Sequence, residues 1–464
     1  MRLPPHPMMT AILIAVLVIV IVLGAVRPRW HMGLLAIVGC FVVAMIAPSI
    51  AGVTTAPLRF FPTELFLKLV GVTLFFVCLE RIGTLEVVLN RVLSRIRHRP
   101  ALVPLTFFVV PAALVTGGVS NLAVVALLAP LALRAASAVG IPALAMSVLV
   151  VGSANAAAFS PFSPAGVIVA SALRDHHRVL GVTADAAFQW AFYLRTLVVQ
   201  ASVAATGFLL LGGWQAMRRA GAEAPQRPVL SSDDAIEPED LLVRVPSSRN
   251  GAQQRSMVAF ALFIVGVLGF GSSAAHAILP AGVCAVLGDP GNLGFIGAVA
   301  FMMRGDVALD EVVAHLPWSA IFLVAGMTSL IGLGESLGVL ELLTDRLIAF
   351  ASPASMPLWL ALAAGALSSV SSSTGVVLPL FLPMLPEFHA HMPTLPVLTS
   401  LTSIGIGAHL VDASPLSTLG ALFVASAGSS DEQTKLFRAL LLWGFVMIPV
   451  AALLCLALAF LPGW

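Results

Sequence analysis

The sequence predicts an all-α polytopic membrane protein with two inverted-topology repeats, each with a re-entrant helical hairpin and a broken helix. The composition, the length of the apolar runs and an internal duplication support this fold class. Hydrophobic residues make up 59% of the 464 residues and charged residues 10%, and the mean hydropathy is +1.02. Soluble domains carry roughly 25% charged residues. Most of the surface of this protein is therefore expected to face lipid.

The apolar runs have the length of bilayer-spanning helices. A helix needs about 20 apolar residues to cross a hydrocarbon core of about 30 Å, and in lipid such runs must be helical to satisfy their backbone groups. We expect spans at 10–26, 31–50, 64–82, 142–173, 190–213, 257–273, 276–303, 317–335, 398–427 and 436–461. Two further apolar stretches, 101–139 and 357–386, are interrupted near their middle by small polar residues.

Charge and cysteine usage argue against several other classes of protein. The formal net charge is +2, which gives no indication of a nucleic-acid partner. The cysteines lie in separate apolar runs without the spacing of metal ligands, so we expect them to pack in the core. They are Cys40, Cys78, Cys284 and Cys455. No cofactor is expected.

Charge also predicts how the chain is oriented. Residues 84–98 place apolar side chains at helical spacing and arginines on other faces, as in an amphipathic helix at a membrane surface. Their arginine density favours the cytoplasmic side, and tracing the spans from there puts the polar segment 214–256 inside as well. We expect a first transmembrane repeat at 1–213, a cytoplasmic linker at 214–256 and a second repeat at 257–464. A topology with the N-terminus inside stays open if one interrupted stretch crosses fully.

The two halves repeat the same residues in the same order, about 255 residues apart. Ser160-Pro161-Phe162-Ser163 with Gly166 is matched by Ser414-Pro415-Leu416-Ser417 with Gly420. Five residues near the end of the third span of the first half recur in the second: Glu80, Gly83, Leu85, Glu86 and Arg91 are matched by Glu335, Gly338, Leu340, Glu341 and Arg346. The same tracing of the spans puts both termini outside, so that the first half begins outside and the second inside. In that topology the repeats are expected to be inverted, as in alternating-access transporters.

The two interrupted stretches predict a pair of re-entrant hairpins with polar tips. One tip is Gly117-Gly118-Val119-Ser120-Asn121, and the other runs from Ser368 to Gly375. Hydroxyl and amide groups with free N–H groups at a helix start can hold a carboxylate, and the oxygens of such a tip suit Na⁺. The candidate substrate-binding residues here are Ser120, Asn121, Ser373 and Thr374, and the candidate cation-coupling residues are Gly118 and Ser372.

A second pair of breaks, at 152–166 and 405–420, interrupts two spans with serine, glycine and proline. Proline removes a backbone donor and does not fit a continuous helix, and lipid does not tolerate freed backbone groups, so these turns must face protein or a water-filled cavity. The competing interpretation is that glycine and serine merely allow close helix packing. The breaks add the substrate-binding candidates Ser160, Ser163, Ser414 and Ser417, and the cation-coupling candidates Asn155, His409 and Asp412.

Asp412 and His409 are ionisable residues within the second break, with no charged counterpart in the first half. A carboxylate inside the membrane is a functional hypothesis by default. Asp412 is a candidate to bind a coupling cation or to carry a proton, and His409 is a candidate to titrate or to bond the substrate. The alternative is that the two side chains satisfy each other structurally.

These signatures resemble the divalent anion:sodium symporter family of the ion transporter superfamily, and especially its malonate/dicarboxylate carrier branch. Each repeat of that family carries Ser-Asn-Thr at a hairpin tip, followed by a proline-containing unwound helix. The tips here read Ser120-Asn121-Leu122 and Ser372-Ser373-Thr374, so both depart from that motif. The resemblance implies a scaffold part, a moving transport part, a homodimer, and Na⁺ or H⁺ coupling to a small dicarboxylate.

We therefore expect a multi-pass transporter of the cell inner membrane, whose partners are the lipid bilayer and a small organic anion. The leading hypothesis is cation-coupled uptake of a dicarboxylate such as malonate or succinate. The alternatives within transport are a cation/proton antiporter and an oxyanion exporter of the same superfamily. A membrane enzyme is the third interpretation, but it needs a nucleophile with a base or a set of metal ligands, and the pair His409 and Asp412 is its single candidate. No catalytic residue is assigned.

Overall fold

The chain is helical throughout its regular elements. The computed structural model describes residues 7–26, 30–46, 59–87, 91, 102–182, 185–222, 250–270, 273–461 and 464. Within these ranges every regular element is a helix, and several are interrupted by short non-helical turns. The all-α class predicted from composition is confirmed for the described residues.

Within the described residues, the first half contains nine helices of nine residues or more. They are α1 (Pro7–Val26), α2 (Met32–Ile46), α3 (Thr63–Ile82), α4 (Val103–Thr116), α5 (Asn121–Ala138), α6 (Ala143–Ala156), α7 (Pro164–Leu180), α8 (Ala186–Phe208) and α9 (Trp214–Ala222). A π-helical turn, Leu209–Gly213, joins the last two. Helix α7 starts at Pro164 because proline lacks only a donor that the first helical turn would not use.

The second half has a similar order of elements. Its helices within the described residues are α10 (Asn250–Phe270), α11 (Ser273–Ile278), α12 (Ala281–Leu287), α13 (Pro290–Met303), α14 (Leu309–His315), α15 (Trp318–Ser336), α16 (Val339–Phe350), α17 (Met356–Ser368), α18 (Leu378–Phe381), α19 (Leu385–His391), α20 (Val397–Leu410), α21 (Thr418–Ala425) and α22 (Ser430–Ala459). Three single turns lie between them, at Ser373–Val377, Leu382–Met384 and Val411–Ala413.

Many of these helices are long and apolar enough to cross a bilayer. By length and composition the described residues contain 6 candidate spans, or 7 if one bent pair counts as a single span. The bent pair is α12 and α13, which meet at 67°. The expected span 276–303 is therefore not one straight helix. The bend has a local cause, because Asp289 caps α13 by accepting hydrogen bonds from the N–H groups of Gly291 and Asn292.

Two polar segments of the sequence lie only partly within the described residues. The expected linker 214–256 is helical at both ends, in α9 and at the start of α10, and its middle lies outside the described residues. The expected amphipathic helix 84–98 is helical at 84–87, and most of the remainder lies outside them. Its counterpart in the second half is α16. The matched glycines that precede the two segments, Gly83 and Gly338, adopt left-handed backbones with φ of 83° and 78°.

Helices of the two halves cross each other in a matched pattern. Helix α3 packs against α13, and its counterpart α15 packs against α2. A Cβ atom on Gly71 of α3 would lie 2.1 Å from the carbonyl oxygen of Gly291. A Cβ atom on Gly326, the matched residue of α15, would lie 2.0 Å from the carbonyl oxygen of Gly33. Glycine is therefore required at both positions, and the duplication extends to how the halves pack.

The interrupted helices of both halves meet in the centre of the protein. In the first half α4 and α5 pack against α6, and in the second α17 packs against α20. Each half also reaches into the other, because α21 contacts α5 and α7 contacts α19. The segment after each break thus packs on the hairpin of the opposite half. This arrangement brings the four polar breaks together.

Candidate functional site

The first hairpin tip is a tight turn packed against a neighbouring helix. It runs between α4 and α5, and Gly118 has a φ of 107°, which favours glycine. A Cβ atom on Gly118 would lie 2.6 Å from the Phe76 ring of α3, so the close approach also requires glycine. Ser120 is the residue before α5, and its half-buried side chain makes no capping hydrogen bond.

Asn121, the first residue of α5, connects this tip to the broken helix of its own half. Its Nδ2 donates to Oδ1 of Asn155 at 2.9 Å. Its Oδ1 accepts from the backbone N–H of Leu122 at 2.9 Å, which fixes the orientation of the amide. Asn155 lies in the last turn of α6 and is 1% exposed.

The second hairpin tip contains the expected site residues Ser372, Ser373 and Thr374. Ser372 precedes the π-helical turn, and its hydroxyl accepts from the N–H of Gly375 at 3.1 Å. Ser373 is buried and Thr374 is half-buried. A Cβ atom on Gly375 would lie 2.5 Å from the side chain of Leu323 on α15. Like the first tip, this one abuts an apolar side chain of a helix that crosses between the halves.

Asp412 is a buried carboxylate surrounded by hydrogen-bond donors. Ser373 Oγ donates to its Oδ1 at 2.5 Å, and Ser368 Oγ lies 3.4 Å from the same oxygen. Asn155 Nδ2 donates to Oδ2 at 3.3 Å. The side chain is 8% exposed. A buried charge requires compensation of this kind, and the donors come from both halves of the chain.

Four oxygen atoms form a compact cluster beside α20. The hydroxyls of Ser368 and Ser373 are 2.8 Å apart. They lie 2.7 Å and 3.2 Å from the carbonyl oxygen of Ala408. Asp412 Oδ1 is the fourth member, at the distances given above. Carboxylate, hydroxyl and carbonyl oxygens next to an unwound helix end are the groups that coordinate Na⁺ in membrane transporters.

A continuous chain of side chains links the two hairpin tips. It runs from Asn121 through Asn155 and Asp412 to Ser373. Asn155 also donates to the carbonyl oxygen of His409 at 3.1 Å, so its amide nitrogen contacts two residues of the opposite half. Four of the expected residues, one from each tip and one from each break, therefore belong to one network.

The matched serines of the two broken helices have the same local structure. Ser163 Oγ accepts from the N–H of Gly166 at 3.3 Å and donates to the carbonyl oxygen of Ala158. Ser417 Oγ accepts from the N–H of Gly420 at 3.4 Å and donates to the carbonyl oxygen of Asp412. Both hydroxyls cap the following helix and close the preceding turn.

The other matched pair of serines lies at the start of these turns. Ser160 Oγ donates to the carbonyl oxygen of Thr116 at 2.6 Å, which ties the first break to α4. It also accepts from the N–H of Phe162 at 3.3 Å, and Ser414 Oγ accepts from the N–H of Leu416 at 3.3 Å. All four serines therefore bond to the backbone near the unwound turns.

His409 stacks on an aromatic ring of the opposite half. Its ring lies 4.3 Å from the Phe159 ring, centroid to centroid, at an interplanar angle of 11°. The residue is 1% exposed. Within the part of the chain that the structure describes, neither ring nitrogen has a hydrogen-bond partner.

Several residues of the site were not singled out from the sequence. Ser368 lies at the start of the expected second tip, and its hydroxyl contacts Ser373 five residues later and Ala408 on another helix. Phe159 is one of many aromatic residues in apolar surroundings, and no sequence signal marks it. The hydroxyls of Thr116 and Tyr193 are 2.6 Å apart and join α4 to α8.

The first third of the chain matches a known protein family. Residues 8–158 match the model of a protein family described as the N-terminus of the dicarboxylate carrier protein MatC. The resemblance stated from the hairpin and break motifs is confirmed for this region. No curated protein matches the chain.

Two solved structures share the fold over most of their length. The YdaH transporter of Alcanivorax borkumensis has a TM-score of 0.55 and 14% identity, covering 87% of each chain. MtrF of Neisseria gonorrhoeae, described as illuminating a class of antimetabolite efflux pumps, has a TM-score of 0.55 and 14% identity, covering 98% of this chain and 95% of its own. At this identity the likeness shows the fold alone. The protein is thus a multi-pass membrane protein, and the comparisons favour a transporter over an enzyme.

Proposed function

We propose that this protein is a secondary active transporter that couples a cation to the uptake of a small dicarboxylate, such as malonate or succinate, across the cell inner membrane. The observation that carries the proposal is the chain of hydrogen bonds from Asn121 to Ser373, which joins both tips and both breaks. A site of this kind, between matched discontinuous helices, is where secondary transporters bind substrate and coupling ion. The match of residues 8–158 to a dicarboxylate carrier family supports the substrate class.

We further propose that residues 1–213 and 257–464 are inverted repeats joined by the linker 214–256, and that each hairpin is re-entrant. The matched left-handed glycines and the matched crossings of α3 and α15 support the duplication. The helices that cross between the halves form the scaffold in this proposal, and the hairpins and broken helices form the moving part. The family resemblance adds a homodimer.

Asp412 is the proposed centre of cation coupling. Both serine hydroxyls lie within 3.4 Å of its Oδ1 and of the Ala408 carbonyl oxygen, and within 2.8 Å of each other. A bound Na⁺ would spread them and turn the hydroxyl protons outward. A proton on Asp412 would use the same oxygens as acceptors. The coupling ion is Na⁺ or H⁺, and Ser372 and Gly118 shape the tips beside it.

We propose that the substrate binds to residues at the tips whose hydrogen-bond donors are available to it. Ser120 and Thr374 are half-buried, and the first N–H groups of α5 point away from the helix, as at any helix start. Asn121 sets the position of that helix start through Asn155. The capping serines Ser160, Ser163, Ser414 and Ser417 border this region in the proposal and keep the unwound turns open.

Uptake into proteoliposomes tests the function. Purified protein is reconstituted and the accumulation of labelled malonate and succinate is measured under an inward Na⁺ gradient, an inward H⁺ gradient, and neither. Accumulation above protein-free liposomes under at least one gradient is expected. If neither gradient drives uptake of either acid, the proposal is wrong.

A second candidate, cation/proton exchange or export of an anion, is supported by the buried carboxylate of Asp412 and by the fold shared with MtrF. Exchange predicts that a pH gradient alone drives ²²Na⁺ movement in the same vesicles. Export predicts that substrate loaded inside leaves faster when the cation gradient points inward. If the vesicles accumulate malonate, and a pH gradient drives no Na⁺ movement when malonate is absent, the exchange mechanism is excluded.

A further inference from the structure

The helix that leads into the first tip ends on a hydroxyl that is held from a neighbouring helix. Thr116 is the last residue of α4 and directly precedes the tip. Its Oγ1 lies 2.6 Å from the hydroxyl of Tyr193 on α8. Thr116 Oγ1 donates its one proton to the Ala112 carbonyl oxygen at 2.6 Å, so the hydrogen bond between the two hydroxyls must be donated by Tyr193.

The corresponding hydroxyl of the second half has different partners. Ser368 is the last residue of α17, as Thr116 is of α4. Ser368 Oγ contacts Ser373 Oγ and the Ala408 carbonyl oxygen, in the proposed cation cluster. In the first half the hydroxyl at this place contacts Tyr193 instead. The two hairpins are therefore fixed at the same point by different groups.

Thr116 also joins the first tip to the first break. Its carbonyl oxygen accepts from Ser160 Oγ at 2.6 Å. The next three residues bond back to carbonyl oxygens of α4 at 3.0–3.1 Å, the N–H of Gly117 to Ala113, of Gly118 to Val115 and of Val119 to Leu114. The turn behind Thr116 is thus closed by hydrogen bonds, so a movement of Thr116 is passed on to Ser120 and to the first N–H groups of α5.

Tyr193 is itself held in place by its surroundings. It is buried, and its ring meets the Trp190 ring edge to face at 5.4 Å between centroids. Trp190 in turn meets Phe162 of the first break at 6.2 Å. Helix α8 packs along α6 and against α20, so it is attached to the broken helices of both halves. The Tyr193 hydroxyl is therefore a fixed point from which the first tip is held.

We propose that Tyr193 is a positioning residue for the substrate, which keeps the first tip in its binding geometry through the hydrogen bond to Thr116. Without this bond Thr116 can shift relative to Ser160, and the N–H groups of α5 then meet the substrate carboxylate less well. Donors that are already in place bind more tightly, because less order is lost on binding. The inference rests on the proposed function and adds a residue that acts through Thr116 rather than on the substrate itself.

Substrate affinity in matched variants tests the inference. Tyr193→Phe removes the hydroxyl and keeps the ring beside Trp190. Thr196→Val is the control, since it removes a buried hydroxyl of the same helix that bonds to the Phe192 and Tyr193 carbonyl oxygens within α8. Uptake of labelled malonate and succinate is measured in proteoliposomes under the gradient that drives it in the wild type, together with the Tm of each variant.

Tyr193→Phe is expected to raise the KM for the transported acid about fivefold, as for one lost hydrogen bond, with Vmax per folded protein unchanged. Thr196→Val is expected to keep the wild-type KM, whatever its Tm. A wild-type KM in Tyr193→Phe, with or without a lower Tm, would show that the bond only packs α4 against α8, and would overturn the inference.

A double variant separates positioning from stability. Thr116→Val leaves the buried Tyr193 hydroxyl without this partner, so it should lower the Tm as well as raise the KM. Adding Tyr193→Phe removes that unpaired group, so the Tm should recover while the KM stays as in Tyr193→Phe alone. If the KM returns to the wild-type value together with the Tm, substrate affinity follows stability alone and the inference is wrong.

The wild-type protein gives a further readout, because the chain contains one tyrosine. Protein labelled with fluorotyrosine should therefore show a ¹⁹F signal that belongs to Tyr193. Saturating malonate or succinate is expected to move this signal, since the charge of the ligand would lie close to Thr116. A signal that stays in place in protein that binds either acid would mean that the substrate binds away from the first tip, and would overturn the inference.

The outcomes also distinguish this inference from the proposed function. If the wild type neither transports nor binds malonate or succinate, the proposed function fails and the inference fails with it. Transport with a wild-type KM in Tyr193→Phe leaves the proposed function in place and removes only the role of Tyr193.

Discussion

The amide nitrogen of Asn155 lies 3.3 Å from Oδ2 of Asp412, and this hydrogen bond joins the broken helix of one half to that of the other. The two residues are far apart in the chain but central to one network. Asn155 also accepts from Asn121 of the first tip, and Asp412 accepts from Ser373 of the second. A change in the charge or ligation of Asp412 therefore acts directly on Asn155 and Ser373, and through Asn155 on Asn121.

Replacing Asn155 with alanine is expected to destabilise the protein. The change removes donors from Asp412 and from the buried carbonyl of His409, and a buried group that loses its partner costs about 1–3 kcal/mol. In a protein of this size that corresponds to a fall in Tm of about 1–3 °C. Thermal unfolding in detergent measures it, with Asn292→Ala on the exposed side of α13 as the control. Equal Tm values for the two variants would show that the Asn155 contacts contribute no stability.

Replacing Ser373 with alanine is expected to weaken cation binding. The variant loses the hydroxyl that lies 2.5 Å from Asp412, so the half-saturating cation concentration for uptake should rise roughly tenfold. Ser371→Ala is the matched control, because its hydroxyl bonds to the Leu367 carbonyl within the same hairpin and not to Asp412. Uptake is measured across a series of Na⁺ concentrations and pH values. If Ser373→Ala shows the same cation dependence of uptake as Ser371→Ala, the coupling site lies elsewhere.

Replacing Gly326 with alanine is expected to disrupt the crossing of α15 and α2. The new Cβ atom would lie 2.0 Å from the Gly33 carbonyl oxygen, which is backbone and cannot rotate away. Overpacking of this kind costs about 1–3 kcal/mol or more. Gly282→Ala is the control, since a Cβ atom there meets no atom within 4 Å. The yield of monodisperse protein and its Tm should fall for Gly326→Ala and stay unchanged for Gly282→Ala. A wild-type Tm in Gly326→Ala would mean that α15 and α2 can move apart at little cost.

The sequence was sufficient to locate the helix breaks, because proline and small polar residues interrupt apolar runs visibly. The matched breaks, the serine motifs at Ser160 and Ser414, and the buried carboxylate were all predicted. Side-chain partners were not. Asn155 and His409 were both named as candidates. Their positions along two separate helices do not reveal that the Asn155 amide donates to the His409 carbonyl oxygen.

Pairings across the fold explain what sequence reasoning missed. Ser368 contacts Ala408 because α17 packs against α20, and helical periodicity defines the face of a helix without naming its neighbour. Phe159 is apolar in an apolar run, so its stack with His409 left no signal. The bend within 276–303 is marked in the sequence, since aspartate followed by proline at 289–290 is a typical helix start.

The most direct test of the central claim, that Asp412 links cation binding to substrate binding, is a thermal-shift titration of purified wild type and Asp412→Asn. Malonate and succinate are added with and without Na⁺ at several pH values, and Asp345→Asn, an exposed aspartate of α16, is the control. A ligand raises the Tm of the state that it binds. The substrate-induced shift should depend on Na⁺ or pH in the wild type and in Asp345→Asn, and lose that dependence in Asp412→Asn. The same cation dependence in Asp412→Asn as in the wild type would contradict the claim.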